Sequence, residues 1–453
     1  MKCHSRGPPR SGAGTVVAMT ILATPAAFRD LFDKCSGFRA VVDDLRQRHV
    51  YQAQYRVVLE GPLDHRIRVR HPFTGGLHEM LCFDSNSYLG LHLHPRVLDA
   101  TRRALDVMGY GTPSAQLLAG TNRYLCELEE RVAAFHGREA CLIFPSGYAA
   151  SIGVVTGLLG AGDVVVHDQF AHASLQDGAR WSGAHKRSYR HADTADLEAA
   201  LVASPADGGR LVVTDGVFSM HGRLAPLPEL RAIADRHHAR LLVDEAHSVG
   251  VMGATGRGIE ETFGMPGAAD VLIGTFSKAP GALGGYVAGS GDLIDYLRVF
   301  ARSSLFTASL PAAICAGITE AFHVMQEEPE HRERLWRNAC RFWGALRDAG
   351  LLVPPLESPI VPVFAGHEHL LQRLSRELFL AGVKCGNVSH PAVPRGDAIL
   401  RFSVNARHTD EDLDRAADTL ATLGRRYGIL GLGADEIRAI GASLPPLEAI
   451  PGV

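Results

Sequence analysis

The sequence lacks any paired-cysteine signature. Its eight cysteines (Cys3, Cys35, Cys82, Cys126, Cys141, Cys315, Cys340 and Cys385) are scattered, with no CxxC. That spacing predicts neither a disulfide framework nor a zinc site, so no metal is expected. An excess of one charge is also missing: the formal net charge is −3 over 453 residues. This excludes a basic nucleic-acid footprint, and no nucleic-acid partner is expected. Long apolar runs are absent too. The most apolar window, "GYAASIGVVTGLLGAG" (147–162), is too short and too glycine-rich to cross a bilayer. The N-terminal "MKCHSRGPPRSGAGTVVAMTILATPAAF" lacks the clean apolar core of a signal peptide. It reads as a loose tail or a misplaced start, with Met19 as the alternative first residue, and the expected location is the cytoplasm. No internal repeat occurs. What remains is 46% hydrophobic and 21% charged, the balance of an ordinary globular chain of two or three domains.

The pattern along the chain divides it. Residues 1–24 read as a disordered tail and 25–90 as an N-terminal segment, with an amphipathic helix and short strands at Tyr55–Glu60 and Arg66–Arg70. From 91 to 311, helical stretches such as "YLCELEERVAAFHG" alternate with short β-branched runs. Those runs are Cys141–Phe144, Val164–His167, Leu211–Thr214, Leu241–Val243, Val271–Gly274 and Tyr286–Ala288. Alternation of this kind predicts an α/β fold, a mostly parallel central sheet with helices on both faces. Residues 312–432 read as a smaller α+β domain: helices at Ala312–Met325 and His331–Ala349, strands at Ile360–Phe364 and Ile399–Val404, and a last helix in "TDEDLDRAADTLATLGRRYG". Residues 433–453 read as a proline-rich tail.

Chemistry-bearing residues collect at the predicted strand ends. Lys278 follows Thr275 and Ser277 and precedes the glycine-rich 281–285. A lysine at a strand end is most often a solvated surface residue. Partly desolvated near a ligand, it becomes an amine nucleophile with a lowered pKa. Asp244 ends an apolar strand, with His247 three residues on. The plain reading is a helix cap beside a structural histidine; the sharper one is a carboxylate holding a protonated ring nitrogen. Ser146, Gly147 and Tyr148 open a helix, where free N–H groups favour phosphate. His172 follows another strand and offers a flat ring for stacking; Asp215 and Ser219 follow a further one. Arg401 lies in a strand of the small domain, where it needs either a structural ion pair or a substrate carboxylate.

Together these segments resemble the α-oxoamine synthases, a family of fold-type I pyridoxal-phosphate enzymes. The resemblance runs over roughly residues 30–430. It rests on "SNSYLGLHLHP" (85–95), "AGTNRYLCELEE" (119–130), "FPSGYAA" (144–150), "HASLQDGAR" (172–180), "TDGVFSMHGRLAPLPEL" (214–230), "VDEAHSVGVMGATGRG" (243–258), "GTFSKAPGALGGY" (274–286) and "PAVPRGDAILRFSV" (391–404). The serine palmitoyltransferase branch looks nearest. The resemblance implies the fold-type I architecture and pyridoxal 5'-phosphate as cofactor. It also implies roles: Lys278 carries the cofactor and moves protons, Asp244 pairs with the ring nitrogen, His247 with the ring oxygen, and His172 stacks. Ser146, Gly147, Tyr148, Thr275 and, from a partner subunit, Thr307 surround the phosphate; Asp215 and Ser219 complete the cofactor site; Asn86 and Arg401 contact substrate.

The reaction so implied joins an amino acid to an acyl thioester, with loss of CO₂, to give an α-amino ketone. Serine is the first expectation, then glycine or alanine; the acyl donor is acyl-CoA or an acyl carrier protein. The implied assembly is a homodimer with its active site at the interface, near a membrane surface if the acyl chain is long. Departures from the family pattern bear on the substrates: Met220-His221-Gly222 stands for "MDG", Gln116 for a common arginine, Leu125 for a frequent histidine, and Ser389 for an arginine. An 8-amino-7-oxononanoate synthase or 2-amino-3-ketobutyrate CoA ligase type, an aminotransferase or aldolase, and an inactive regulatory subunit remain as alternatives.

Overall fold

The computed structural model describes residues 30–47, 57–71, 75–205 and 207–447. The tail expected at 1–24 and the last residues of the tail expected at 433–453 lie outside these. Three strands come first: β1 (Val58–Leu59), β2 (Arg66–Arg70) and β3 (Leu77–Phe83). The alternating region supplies β4 (Ala140–Phe144), β5 (Val164–Asp168), β6 (His185–Tyr189), β7 (Arg210–Asp215), β8 (Arg240–Asp244), β9 (Val271–Thr275) and β10 (Gly285–Gly289). The C-terminal part adds β11 (Ile360–Gly366), β12 (Val383–Val388) and β13 (Ala398–Ser403). Four helices matter below: α1 (Gly147–Leu158), α2 (Ala173–Trp181), α3 (Glu330–Asp348) and α4 (Asp410–Tyr427). Residues 434–443, expected in the tail, form a helix, with the Glu436 carboxylate accepting the Gly433 N–H at its start.

The larger sheet has seven strands in the order β4-β10-β9-β8-β7-β5-β6. β5 to β9 are parallel, and β10 alone runs against its neighbours β4 and β9. The two-residue period of the strands sends alternate side chains to opposite faces. Val165, Leu211, Val213, Leu242 and Ile273 pack on one side; Val166, Val212, Leu241, Val243 and Leu272 pack on the other. Both faces are covered, so the strands read as nearly continuous apolar runs. Each such side chain contributes about 1.5–3 kcal/mol by leaving water.

This sheet aims its chemistry in one direction. β4, β5, β7, β8 and β9 all end on the same edge, the place where α/β sheets hold ligands. The register of β7 on β8 sets Asp215 directly beside Asp244. The second sheet runs β1-β2-β3-β12-β13-β11. The N-terminal strands join it because β3 pairs in parallel with β12. That pairing carries Asn86, just past β3, to Arg401 on β13, although 315 positions separate them in sequence.

Candidate active site

A cavity of about 290 Å³ opens at the strand ends of the larger sheet. Its walls include Lys278, Asp244, Asp215, His172, His247 and Thr275, drawn from the ends of β5, β7, β8 and β9 and the turns after them. Lys278, whose plain reading is a solvated surface residue and whose role by resemblance is to carry the cofactor, lies in this wall. Burial lowers its amine to about 8, against the pull of Asp244 and Asp215, which favour the charged form. A cation and a neutral amine are then both available near neutral pH. Burial, and next the adjacent Asp244 charge, push the Asp215 carboxyl well above the usual range. Its Oδ1 accepts the His172 N–H at 3.1 Å. His172 caps α2 and stands at the mouth of the cavity, its Nδ1 2.7 Å from Ser174 Oγ.

His247 is buried, and burial followed by the Lys278 charge holds its imidazole well below the normal pKa, in the neutral form. Its Nδ1 lies 2.7 Å from the hydroxyl of Tyr88. Burial raises Tyr88 to about 12, and the Arg401 guanidinium also reaches its oxygen. A guanidinium only donates, so of the bonded partners only His247 Nδ1 and the Ser403 hydroxyl can take the Tyr88 proton; directed at Nδ1, it fixes the His247 tautomer. The His247 proton is then on Nε2. Tyr88 holds this position with φ of 40°, in the left-handed region that non-glycine residues rarely enter. Strain at such positions gathers in functional sites.

Opposite the lysine, α1 begins at the cavity. The Ser146 Oγ accepts the Ala149 N–H at 3.1 Å and caps the helix. The first N–H groups of a helix have no partner within it, which makes this end an anion cradle. Gly147 permits the approach: a Cβ there would stand 2.8 Å from the Thr275 Cβ. Tyr148 also borders the cavity, its hydroxyl bonded to Asp177 Oδ2 at 2.5 Å. Thr275 Oγ1 donates to the Gly284 carbonyl at 3.0 Å and lies 2.8 Å from Ser277 Oγ.

Arg401 is buried and has no carboxylate partner among the described residues. The structural ion pair its strand position allowed is therefore replaced by neutral acceptors. Nη1 donates to Ser403 Oγ at 2.9 Å, Nη2 to Asn86 Oδ1 at 3.1 Å, and Nε to the Ser219 carbonyl. Ser219 thus meets the site through its backbone. Thr307, half-buried after the Arg302–Leu305 helix, does not line the cavity of its own chain. A buried cation with only neutral partners is matched to an anion that binds there.

The aminotransferase class I and II family matches residues 78–420. The 4-hydroxy-2,2'-bipyrrole-5-methanol synthase PigH of Serratia sp. is 40% identical over 88% of this chain. The chain spans 61% of PigH's own length. The 8-amino-7-oxononanoate synthase 1 of Bacillus velezensis is 44% identical, covering 76% of this chain and 88% of that one. The serine palmitoyltransferase of S. paucimobilis, solved with a bound PLP-myriocin aldimine, superposes with a TM-score of 0.84 at 32% identity, covering 89% of this chain and all of that one.

The chain belongs to the α-oxoamine synthases. This synthase has the fold-type I architecture, uses pyridoxal phosphate, and is an acyltransferase by class. Its own residues fit that cofactor. The cavity joins a helix start open to a phosphate, a glycine with no room for a side chain, a carboxylate beside a lysine, and a neutral imidazole.

Tyr88 and Ser403 were not singled out from the sequence, although "SNSYLGL" contains the first and "LRFSV" the second. The signal for Tyr88 was a large polar side chain between Ser87 and Leu89, where only the fold reveals its target. Tyr88→Phe keeps the ring and removes the group that fixes His247. A roughly tenfold loss of kcat is expected. The pH titration of bound-cofactor absorbance should also move. An unchanged titration and rate would refute the tautomer argument.

Proposed function

We propose that this synthase condenses an amino acid with a small side chain and an acyl thioester, releasing CO₂ and an α-amino ketone. Serine is the first choice of amino acid. The observation that carries the reading is the buried Arg401, free of carboxylates, in a network with Asn86 and Ser403 and one hydroxyl from His247. An amino-acid carboxylate placed against Arg401 gains a bidentate, charge-assisted contact in a site already shaped for it.

Pyridoxal phosphate, when bound, supplies an electron-withdrawing ring that accepts the charge left as bonds at Cα break. The chain's residues do the rest. Ser146, Gly147, Tyr148 and Thr275 hold the phosphate. The Asp244 carboxylate keeps a proton on the ring nitrogen, and the Nε2–H of His247 donates to the ring oxygen. His172 covers the ring face at the cavity mouth. Lys278 would hold the cofactor at Nζ, and the same Nζ would take and return the Cα proton. An amine near 8 suits both directions of that transfer. Arg401 sets which Cα bond stands across the ring.

A dimer fits the surface. Leu117, Leu118 and Phe306 are largely exposed on segments joined by the Ala115–Ala308 bridge, and Thr307 lies in the same stretch. A partner chain covering them would bring its Thr307 toward the cofactor phosphate. The 44% identity to an 8-amino-7-oxononanoate synthase favours a second reading, with alanine as amino acid and a different acyl chain. The loaded enzyme, expected to sediment as a dimer, separates these. It is offered serine, glycine, alanine and threonine in turn, each with acyl-CoA of varied length, and free thiol and CO₂ are counted. Equal release of both with serine supports the proposal; release only with alanine supports the second reading. A keto acid without thiol release overturns both.

A further inference from the structure

A second concave site lies away from the cofactor cavity, and nothing in the proposed reaction uses it. It is a pocket of about 580 Å³ between α3 and the loop joining β13 to α4. Arg334, Arg337 and Arg341 stand at helical spacing on one face of α3. Arg407 faces them from the loop, and His65 and His408 complete the wall. Asp410 is the sole acidic residue of the lining.

Two of these guanidinium groups are already neutralised. Arg341 binds Asp414 in a two-pronged pair at 2.7 and 2.9 Å, with Asp410 at 3.4 Å. Arg407 Nε lies 2.9 Å from Asp64 Oδ1. The other two are not. Arg334 reaches only the His331 Nδ1, at 3.2 Å, and Arg337 has no polar partner among the described residues. Two unpaired guanidinium groups, one turn apart in a recess that holds four, repel one another. Arg337 is exposed, and Arg334 is half-buried with its Nε–H enclosed and unpartnered. A recessed anion with several oxygens gains paired, charge-assisted hydrogen bonds from this arrangement.

The geometry points to a binding site for a phosphate-bearing anion, of about the size of pyrophosphate, held by Arg334 and Arg337 with Arg341 and Arg407 around it. The site does not depend on which substrates the synthase uses. Its wall is joined to the cofactor cavity through one short segment. The Ala406 N–H donates to the Tyr88 carbonyl at 2.6 Å, and Arg407 packs where a side chain on Gly90 would sit.

Calorimetric titration of the cofactor-loaded enzyme with inorganic pyrophosphate tests it; loading first keeps the cofactor's own phosphate cradle filled. One equivalent per chain is expected to bind, more weakly as salt is added. Arg337→Glu, an exposed change, should weaken binding about tenfold or more, and Asp410→Asn should strengthen it several-fold. Circular dichroism checks that both variants fold. Competition by coenzyme A shows the source of the ligand: displacement of pyrophosphate assigns the pocket to the nucleotide end of an acyl-CoA, and its absence to a free phosphate compound. No binding, or binding that neither substitution changes, overturns the site.

Discussion

Lys278→Ala is expected to lower turnover by about 10⁴-fold or more and to leave the fold in place. In the proposed reaction the lysine provides both the amine that attaches the cofactor and the base that moves the Cα proton, so one substitution removes two functions. The surroundings do not depend on it. Phe276 and Ala279 beside it are packed in the core, and Asp244, Asp215 and Arg401 keep their own hydrogen bonds. The variant should therefore match the parent by far-UV circular dichroism and retain cofactor through the phosphate cradle, without the absorbance of the covalently attached form. Residual turnover above about one per cent would sink the assignment, since general-base catalysis alone is worth 10²–10⁴. The parent enzyme offers a matching pH test. Only the neutral amine attacks, and burial sets its pKa at about 8. The rate of cofactor attachment to the stripped protein should rise with pH up to that value and level off above it. A rate still rising about tenfold per pH unit at pH 9 would mean that the amine is not so perturbed, and a rate flat from roughly pH 6 to 9 that its neutral form does not limit attachment.

Much of this site was legible in the sequence because the larger sheet is buried on both faces. Runs such as Val164–His167 and Leu241–Val243 stand out as apolar, and the polar residue that ends each run marks the edge where ligands bind. Asp215, Asp244, Thr275 and Lys278 were found that way. β6 was not, because "HKRSY" is an edge strand with four of its five side chains exposed, and no apolar pattern survives. The burial that makes a strand readable is absent there.

The second sheet was hidden for a different reason. Its strands come from both ends of the chain, and the parallel pairing of β3 with β12 joins residues some 300 positions apart. Local pattern gives the strands but not the partner. Asn86 and Arg401 could each be named as substrate contacts through the family resemblance; that they bind one another could not. The same holds for Tyr88 and His247, 159 positions apart. Thr307 is a further case: the role proposed for it needs a second chain and would leave no mark on the cavity of the first.

The two carboxylates that sit side by side at the ends of β7 and β8 should respond to the same substitution in opposite measure. Asp244→Asn is expected to cost about 10³-fold in kcat, the scale of losing one preorganised charge at the reacting centre. Asp215→Asn should cost less than about tenfold. Two buried carboxyls in register cannot both ionise cheaply. The balance falls on Asp215, whose carboxyl is pushed well up by burial and by its neighbour, so a neutral amide of the same shape replaces a group whose charge is disfavoured. Asp215 Oδ1 accepts the His172 N–H, and an asparagine oxygen can do the same. Asp244 Oδ1 accepts the Ala246 N–H at 2.9 Å, which asparagine also preserves, so the expected loss reports charge and not folding. A second readout separates charge from shape. Asp244 favours the protonated form of Lys278, and without it the amine should titrate below 8. The pH limb of cofactor attachment then moves to the acid side in Asp244→Asn. Equal losses in the two variants, or a limb that stays in place, would show that the working charge is not on Asp244.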